Sequence, residues 1–173
     1  MAAATTVRLD IRKGLLATAT ALASGGPWLA KSSPGCSGAA AGQLVAAEFA
    51  LVDLANVWQA YAGRRGGAAE RDALLVLKID SRNLEAFSGD WLDAAAPDGH
   101  HTPAWQMAHL VNALDFGRWL VALSASALAA RGDTDTGLQD DAIRTILQLD
   151  MALTELTRAC LGRHVACLSA WTA

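Results

Sequence analysis

The stretch that decides the fold runs from Trp105 to Ala130 and reads WQMAHLVNALDFGRWLVALSASALAA. Between Trp119 and Ala130 it contains no charged residue, which predicts a helix buried on most of its faces at the centre of a bundle. Gly117 and Arg118 interrupt this apolar run. A charged side chain at the end of a buried helix needs a carboxylate partner, from the same chain or from another one. The role of Arg118 is therefore the main question that the sequence raises.

The composition fits a single helical domain. The chain has 173 residues, of which 53% are hydrophobic, so it can bury a core without the help of metals or disulfides. Its formal net charge of -3 argues against nucleic acid as the main partner, because phosphate-binding surfaces need an excess of basic residues. The chain contains 3 cysteines. A small and uneven number of cysteines is typical of a protein from a reducing compartment.

Segments rich in glycine, proline and serine divide the chain into predicted helices. Residues 1–42 are predicted to form an N-terminal helix, ending at Gly25-Gly26-Pro27, and a flexible loop over 31–42; residues 43–173 then form the bundle of the same domain. The periodicity predicts further helices over 43–62, from Glu70 to near Gly89, and over 103–114, 116–130, 139–160 and 165–171. The inner surface of the helix over 139–160 is predicted to consist of Ile143, Ile146, Leu147, Leu149, Met151, Leu153 and Leu156. We predict no strand and no internal repeat.

Patterns that carry enzyme chemistry are absent from the sequence. No GxSxG nucleophile motif, phosphate-binding loop or dinucleotide fingerprint occurs. We therefore predict that the protein is not an enzyme and binds no cofactor. A small helical enzyme or metal carrier is an alternative, because Cys160, His164 and Cys167 would share one helical face and zinc binds such ligands. The sequence shows no fourth ligand beside them, so no metal site is predicted.

The N-terminal segment imitates an export signal. Arg12 and Lys13 precede a mildly apolar stretch over 14–24, which keeps open an exported helical accessory subunit as an alternative function. Asp10 and the threonines of this segment favour a plain amphipathic helix instead. No segment is expected to reach the length of about eighteen apolar residues that a membrane span needs, so we predict no strong membrane anchor.

The order of features from Glu70 to Trp119 resembles the Bcl-2 family of apoptosis regulators. An amphipathic helix with a leucine five residues before an aspartate, Leu75 before Asp80, corresponds to the family's third homology motif. The segment DFGR over 115–118, followed by an apolar helix, corresponds to the family's first homology motif, in which asparagine and tryptophan precede the glycine and arginine.

This resemblance implies a fold and a function. The fold would be an all-α, Bcl-2-like bundle around a hydrophobic hairpin formed by 116–130 and 139–158. The protein would inhibit apoptosis by sequestering BH3 helices of pro-death Bcl-2 proteins, as the pro-survival homologues carried by large DNA viruses do. It would act in the cytoplasm or at the mitochondrial outer membrane of a host cell. Homodimerisation stays open.

The resemblance also implies a binding site. The BH3 helix would lie in a hydrophobic groove, and Arg118 would pair with the aspartate of the ligand. The predicted site residues are Arg118 with its neighbours Asp115 and Gly117, and the groove residues Leu75, Ile79, Trp91, Met107, Val111, Leu114 and Val121. The alternative is that Arg118 pairs inside its own chain, for example with Asp115 or Asp80.

Overall fold

The computed structural model describes residues 4–32, 37–64, 74–80, 103–131 and 136–171. Its elements are the strand β1 (Ala4–Asp10), the helices α1 (Ile11–Ser32) and α2 (Ser37–Arg64), the strand β2 (Leu74–Asp80), and the helices α3 (Pro103–Ala130) and α4 (Thr136–Trp171). The fold is mainly helical across these residues, as predicted.

A small antiparallel sheet is the main departure from the predicted secondary structure. The sequence predicts a helix that includes Leu74–Asp80, but this segment is a strand paired with β1, and Val7 lies opposite Leu77. Leu75 and Leu77 are half-buried, whereas Leu74, Val76 and Lys78 are exposed. This alternation with a period of two is what a strand with one covered face requires. A short apolar run does not by itself distinguish helix from strand, and pairing with the β-branched residues of β1 decides in favour of the strand.

Four predicted helix boundaries are also wrong. One is the break predicted between 160 and 165, since α4 is continuous from Thr136 to Trp171. The helix α1 continues through Gly25 to Ser32, α2 begins at Ser37 rather than at about Gln43, and α3 is continuous from Pro103 through Gly117. The predicted boundary at residue 42 therefore falls inside α2.

The glycines Gly25 and Gly117 serve helix packing rather than helix termination. A Cβ atom on Gly25 would lie 3.0 Å from Cδ1 of Leu110, and one on Gly117 would lie 3.2 Å from Cγ2 of Thr18. These distances are too short for a larger residue without movement of its neighbours, so both glycines allow α1 and α3 to approach closely.

The four helices surround one apolar core. The helix α1 packs against α2 and α3, and α4 packs against the same two helices. The most deeply buried aliphatic side chains include Leu15 and Leu22 of α1, Leu51 and Leu54 of α2, Leu114 and Leu120 of α3, and Leu149 and Leu153 of α4. Because α1 supplies part of this core, a chain cleaved near residue 30 as an exported protein would lose one wall of the bundle.

The described elements follow one another in a repeating order, strand, helix, helix, strand, helix, helix. No internal repeat is predicted from the sequence. The pairing of β1 with β2 makes the order visible, since it brings corresponding elements of the two halves together.

Two helices are long and apolar enough to cross a membrane by length and composition alone, namely Ala40–Arg64 and Trp105–Ala130. The expectation that no segment reaches this length is therefore wrong. Each of the two contributes one face to the core, and core helices of water-soluble bundles satisfy the same criterion.

Truncation of Leu120 to alanine should lower the free energy of unfolding by about 2–5 kcal/mol, because the side chain is fully buried and its loss leaves a cavity. The matched control is Leu161→Ala, at an exposed position of α4, which should change stability by no more than about 0.5 kcal/mol. Urea denaturation followed by circular dichroism measures both variants. Equal losses would contradict this placement of the core.

Candidate interaction surface

Arg118 has an ion partner within its own chain. Its Nε atom lies 3.9 Å from Oδ1 of Asp150, on the facing helix α4. This partner is a carboxylate far away in the chain rather than Asp115, one of the two partners considered from the sequence. The side chain of Asp80, the other one, lies outside the described residues. The side chain of Arg118 is 41% exposed, while its buried Nε has no hydrogen-bond partner among the described residues. The guanidinium group of Arg118 is therefore partly exposed, and its contact with Asp150 is long and weak.

The other predicted site residues do not come together in one groove. Met107, Leu114 and Val121 are buried in the core, and Val111 and Leu75 are half-buried against it. Gly117 is buried in the contact of α3 with α1 and α4, whereas Asp115 is exposed. The backbone of Ile79 pairs with Thr5 in the sheet, and Trp91 lies outside the described residues. The apolar residues chosen from the sequence are mainly core residues of α3.

An apolar groove lies elsewhere, where α2, the end of α3 and the beginning of α4 meet. Its volume is about 180 Å³. It is lined by Val57, Ala125, Leu128, Ala129, Leu138, Gln139, Ala142, Ile143, Ile146 and Leu147. All of these residues except Gln139 are apolar, so the groove suits a hydrocarbon side chain better than a polar ligand.

The outer side of α4 carries a row of large apolar side chains that continues this groove. Ile143, Leu147 and Met151, called the outer stripe below, are 51, 60 and 71% exposed. Their spacing of four residues places them on one face of the helix. Ile143 and Leu147 also line the groove, so stripe and groove form one continuous surface.

The sequence contains a signal for this stripe. The sequence predicts that Ile143, Leu147 and Met151 belong to the inner surface of this helix, together with residues such as Leu149 and Leu153. At 100° per residue, seven apolar residues over 143–156 cover more of the circumference than one face. Only part of them can point into the core, and Leu149, Leu153 and Leu156 are the ones that do.

A buried polar contact fixes the wall of the groove. Nε1 of Trp58 donates a hydrogen bond to Oγ of Ser124 at 3.2 Å, which links α2 to α3 directly behind Val57 and Ala125. The guanidinium carbon of Arg131 lies 5.0 Å from the centroid of the Trp58 ring, within the range of a cation–π contact. These contacts link α2 to the end of α3 beside the groove.

The charges that border the outer stripe are compensated within the chain. Besides the Arg118–Asp150 pair, Arg144 Nη1 lies 3.2 Å from Asp141 Oδ1, and Arg158 Nη1 lies 2.9 Å from Glu155 Oε1. These pairs are exposed and add little to stability. The border of this surface is therefore polar, and it carries no cluster of charges of one sign.

A metal centre finds no support in the part of the chain that the structure describes. No group of three histidine, cysteine or acidic residues there could hold a metal ion. Cys160 is buried in the core, and the side chains of His164 and Cys167 lie outside the described residues. Cys160 therefore points away from the surface where the metal carrier would need it.

Comparison with protein families, with curated proteins and with solved structures finds no match for this chain. Its function must therefore be argued from the surface itself.

Proposed function

We propose that the chain is a non-catalytic interaction protein that binds an amphipathic helix of another polypeptide along the outer stripe and the apolar groove. The observation that carries this proposal is the outer stripe, where three large apolar side chains stay in contact with water at the surface of a well-packed bundle. A contiguous apolar patch of this kind is typical of a protein interaction site, whereas single exposed apolar residues are common everywhere.

A helix is the partner element that fits this surface best. Side chains spaced four residues apart form a ridge, and such ridges pack into the grooves of a second helix. Apolar anchors of an amphipathic helix, placed three or four residues apart, can then enter the groove beside Ile143. A partner in extended conformation would need an open strand edge, which α4 does not offer.

Arg118 supports a narrower form of the proposal. Asp150, which Arg118 contacts, adjoins Met151 of the outer stripe, so the guanidinium lies at the edge of the proposed site. Along α4, Ile143 and Asp150 are separated by about 10 Å. A partner helix with an apolar anchor in the groove can therefore present an acidic residue to Arg118 about two turns away. A BH3 helix combines a leucine anchor with an aspartate five residues later, about 7.5 Å along its axis and somewhat less than this spacing. In this form the protein is the inhibitor of apoptosis that the Bcl-2 resemblance implies, acting in the cytoplasm or at the mitochondrial outer membrane.

The general proposal is tested with a panel of amphipathic helical peptides that includes BH3 peptides. At least one should bind more tightly than about 10 μM, which corresponds to roughly 7 kcal/mol. Leu147→Glu should weaken that binding at least about tenfold, because it places a charge in the apolar contact. Gln148→Glu, at the adjacent exposed position, should leave affinity unchanged. Isothermal titration calorimetry measures each affinity, and a panel without any such binder would contradict the proposal.

The BH3 form is tested through Arg118. Arg118→Ala should weaken the binding of a BH3 peptide by about thirtyfold or more, because removing one side of a desolvated charge pair costs about 2–5 kcal/mol. Arg144→Ala is the matched control, since Arg144 is an exposed arginine that pairs with Asp141 on the same helix. A lower melting temperature of Arg118→Ala with unchanged peptide affinity would assign Arg118 to a structural role and end the BH3 form.

A further inference from the structure

The small sheet has an exposed face that carries positive charge. Thr6 and Arg8 of β1 are exposed, and so are Val76 and Lys78 of β2. The register places Lys78 opposite Thr6 and Val76 opposite Arg8. Because directly opposite residues of paired strands lie on one side of a sheet, these four residues share a face, called the basic face below.

The two cations of the basic face have no ion partner among the described residues. Arg8 and Lys78 are diagonal neighbours in the register, which corresponds to a separation of about 7–8 Å. The ion pairs of the described residues involve other arginines, all of them in α3 and α4. Asp10, two residues after Arg8, has a different role, since its Oδ1 accepts a hydrogen bond from the backbone N of Lys13 at 3.0 Å and caps α1. The basic face is therefore open to an anionic group from outside.

Further basic residues adjoin this face. Arg12 and Lys13 lie in the first turn of α1, which follows β1 directly, and Lys13 is exposed. This end of the molecule thus gathers positive charge although the whole chain has a formal net charge of -3. A local field of this kind attracts an acidic partner to one place on the surface.

The outer edge of β2 has no neighbouring strand among the described residues. The sheet there consists of β1 and β2 alone, and the described part of the chain has no further backbone hydrogen bond that reaches either strand. A strand with one neighbour uses one side of its backbone for that neighbour. Its other side presents N–H and C=O groups that a further strand can pair with.

The side chains of β2 indicate which strand would fit there. Val76 is 66% exposed and Leu74 is 37% exposed, so an added strand gains apolar contact by placing aliphatic residues opposite them. A carboxylate opposite Lys78 would supply the missing counter-ion. The matching segment therefore has an aliphatic and an acidic residue two positions apart, on the same side of an extended chain.

From the free edge and the unpaired cations we infer that β2 binds an extended acidic segment of another polypeptide, which adds to the sheet as a third strand. Backbone hydrogen bonds would supply affinity, and the basic face would select for acidic side chains. A second copy of this chain fits the edge poorly, because pairing through β2 would join two basic faces, and a lysine on an edge strand opposes such self-pairing. This surface is separate from the outer stripe, so the inference does not rest on the proposed function.

Fluorescence anisotropy of the full chain with a labelled peptide tests the inference. In this peptide every second residue is threonine, and the residues between alternate between valine and glutamate. It should bind more tightly than about 100 μM. Lys78→Glu should weaken binding about fivefold or more, because it replaces an attraction across the strands by a repulsion. The matched control is Lys13→Glu, which makes the same change of charge at an exposed position outside the sheet and should keep the wild-type affinity. Circular dichroism of both variants verifies their fold.

Two N-methylated forms of the peptide distinguish strand addition from attraction by charge alone. Each form carries methyl groups on one of the two alternating sets of backbone amides, and both keep the glutamates. Alternate amides of a strand face opposite sides, so one form should lose binding and the other should retain it.

Absence of peptide binding by the wild-type chain would overturn the inference. Equal losses of affinity in Lys78→Glu and Lys13→Glu would do the same, as would full binding of both N-methylated forms. Binding of a single-stranded oligothymidylate in place of the peptide would assign the basic face to nucleic acid and also end the inference. The variant Leu147→Glu should bind this peptide like the wild type, which separates the outcome from that of the proposed helix binding.

Discussion

The close approach of α1 to α3 is the contact on which the bundle depends. Gly14, Gly25 and Gly117 lie where these helices meet, and Leu120, Leu110 and Thr18 occupy the space that larger side chains would need. Ile11 and Leu15 of α1 are fully buried in the core. The positions of α2 and α4 follow from this contact, since each packs against one helix of the pair and against the other outer helix.

The same arrangement leaves apolar surface without a partner. Helices α2 and α4 bury one face each, but their sequences carry large apolar residues beyond that face, among them Phe49 and Met151. Burying such side chains is worth about 1.5–3 kcal/mol each, so a partner that covers several of them gains substantial free energy. The proposed helix binding is a consequence of this unburied surface.

The sequence predicts the mainly helical character of the chain and the burial of α3, because uninterrupted apolar periodicity is a local property. It does not predict β2, because a short run such as Leu74–Asp80 becomes a strand only through its pairing with distant β1. The glycine and arginine at 117–118 suggest a ligand motif, yet Gly117 serves helix packing and Arg118 meets Asp150, a contact between distant positions that a single sequence does not reveal. The candidate surface differs from the predicted groove because apolar periodicity identifies a helix face without showing which side is covered.

Oxidation footprinting of the two methionines in the described residues tests the central claim most directly, namely that the outer side of α4 is covered when the protein functions. Met151 is exposed in the single chain, and Met107 is buried in the core and serves as an internal reference. The account predicts that Met151 reacts rapidly with hydroxyl radicals in dilute protein. Its reactivity should fall toward that of Met107 as a binding helix is added. A Met151 that reacts equally fast under all of these conditions would contradict the account.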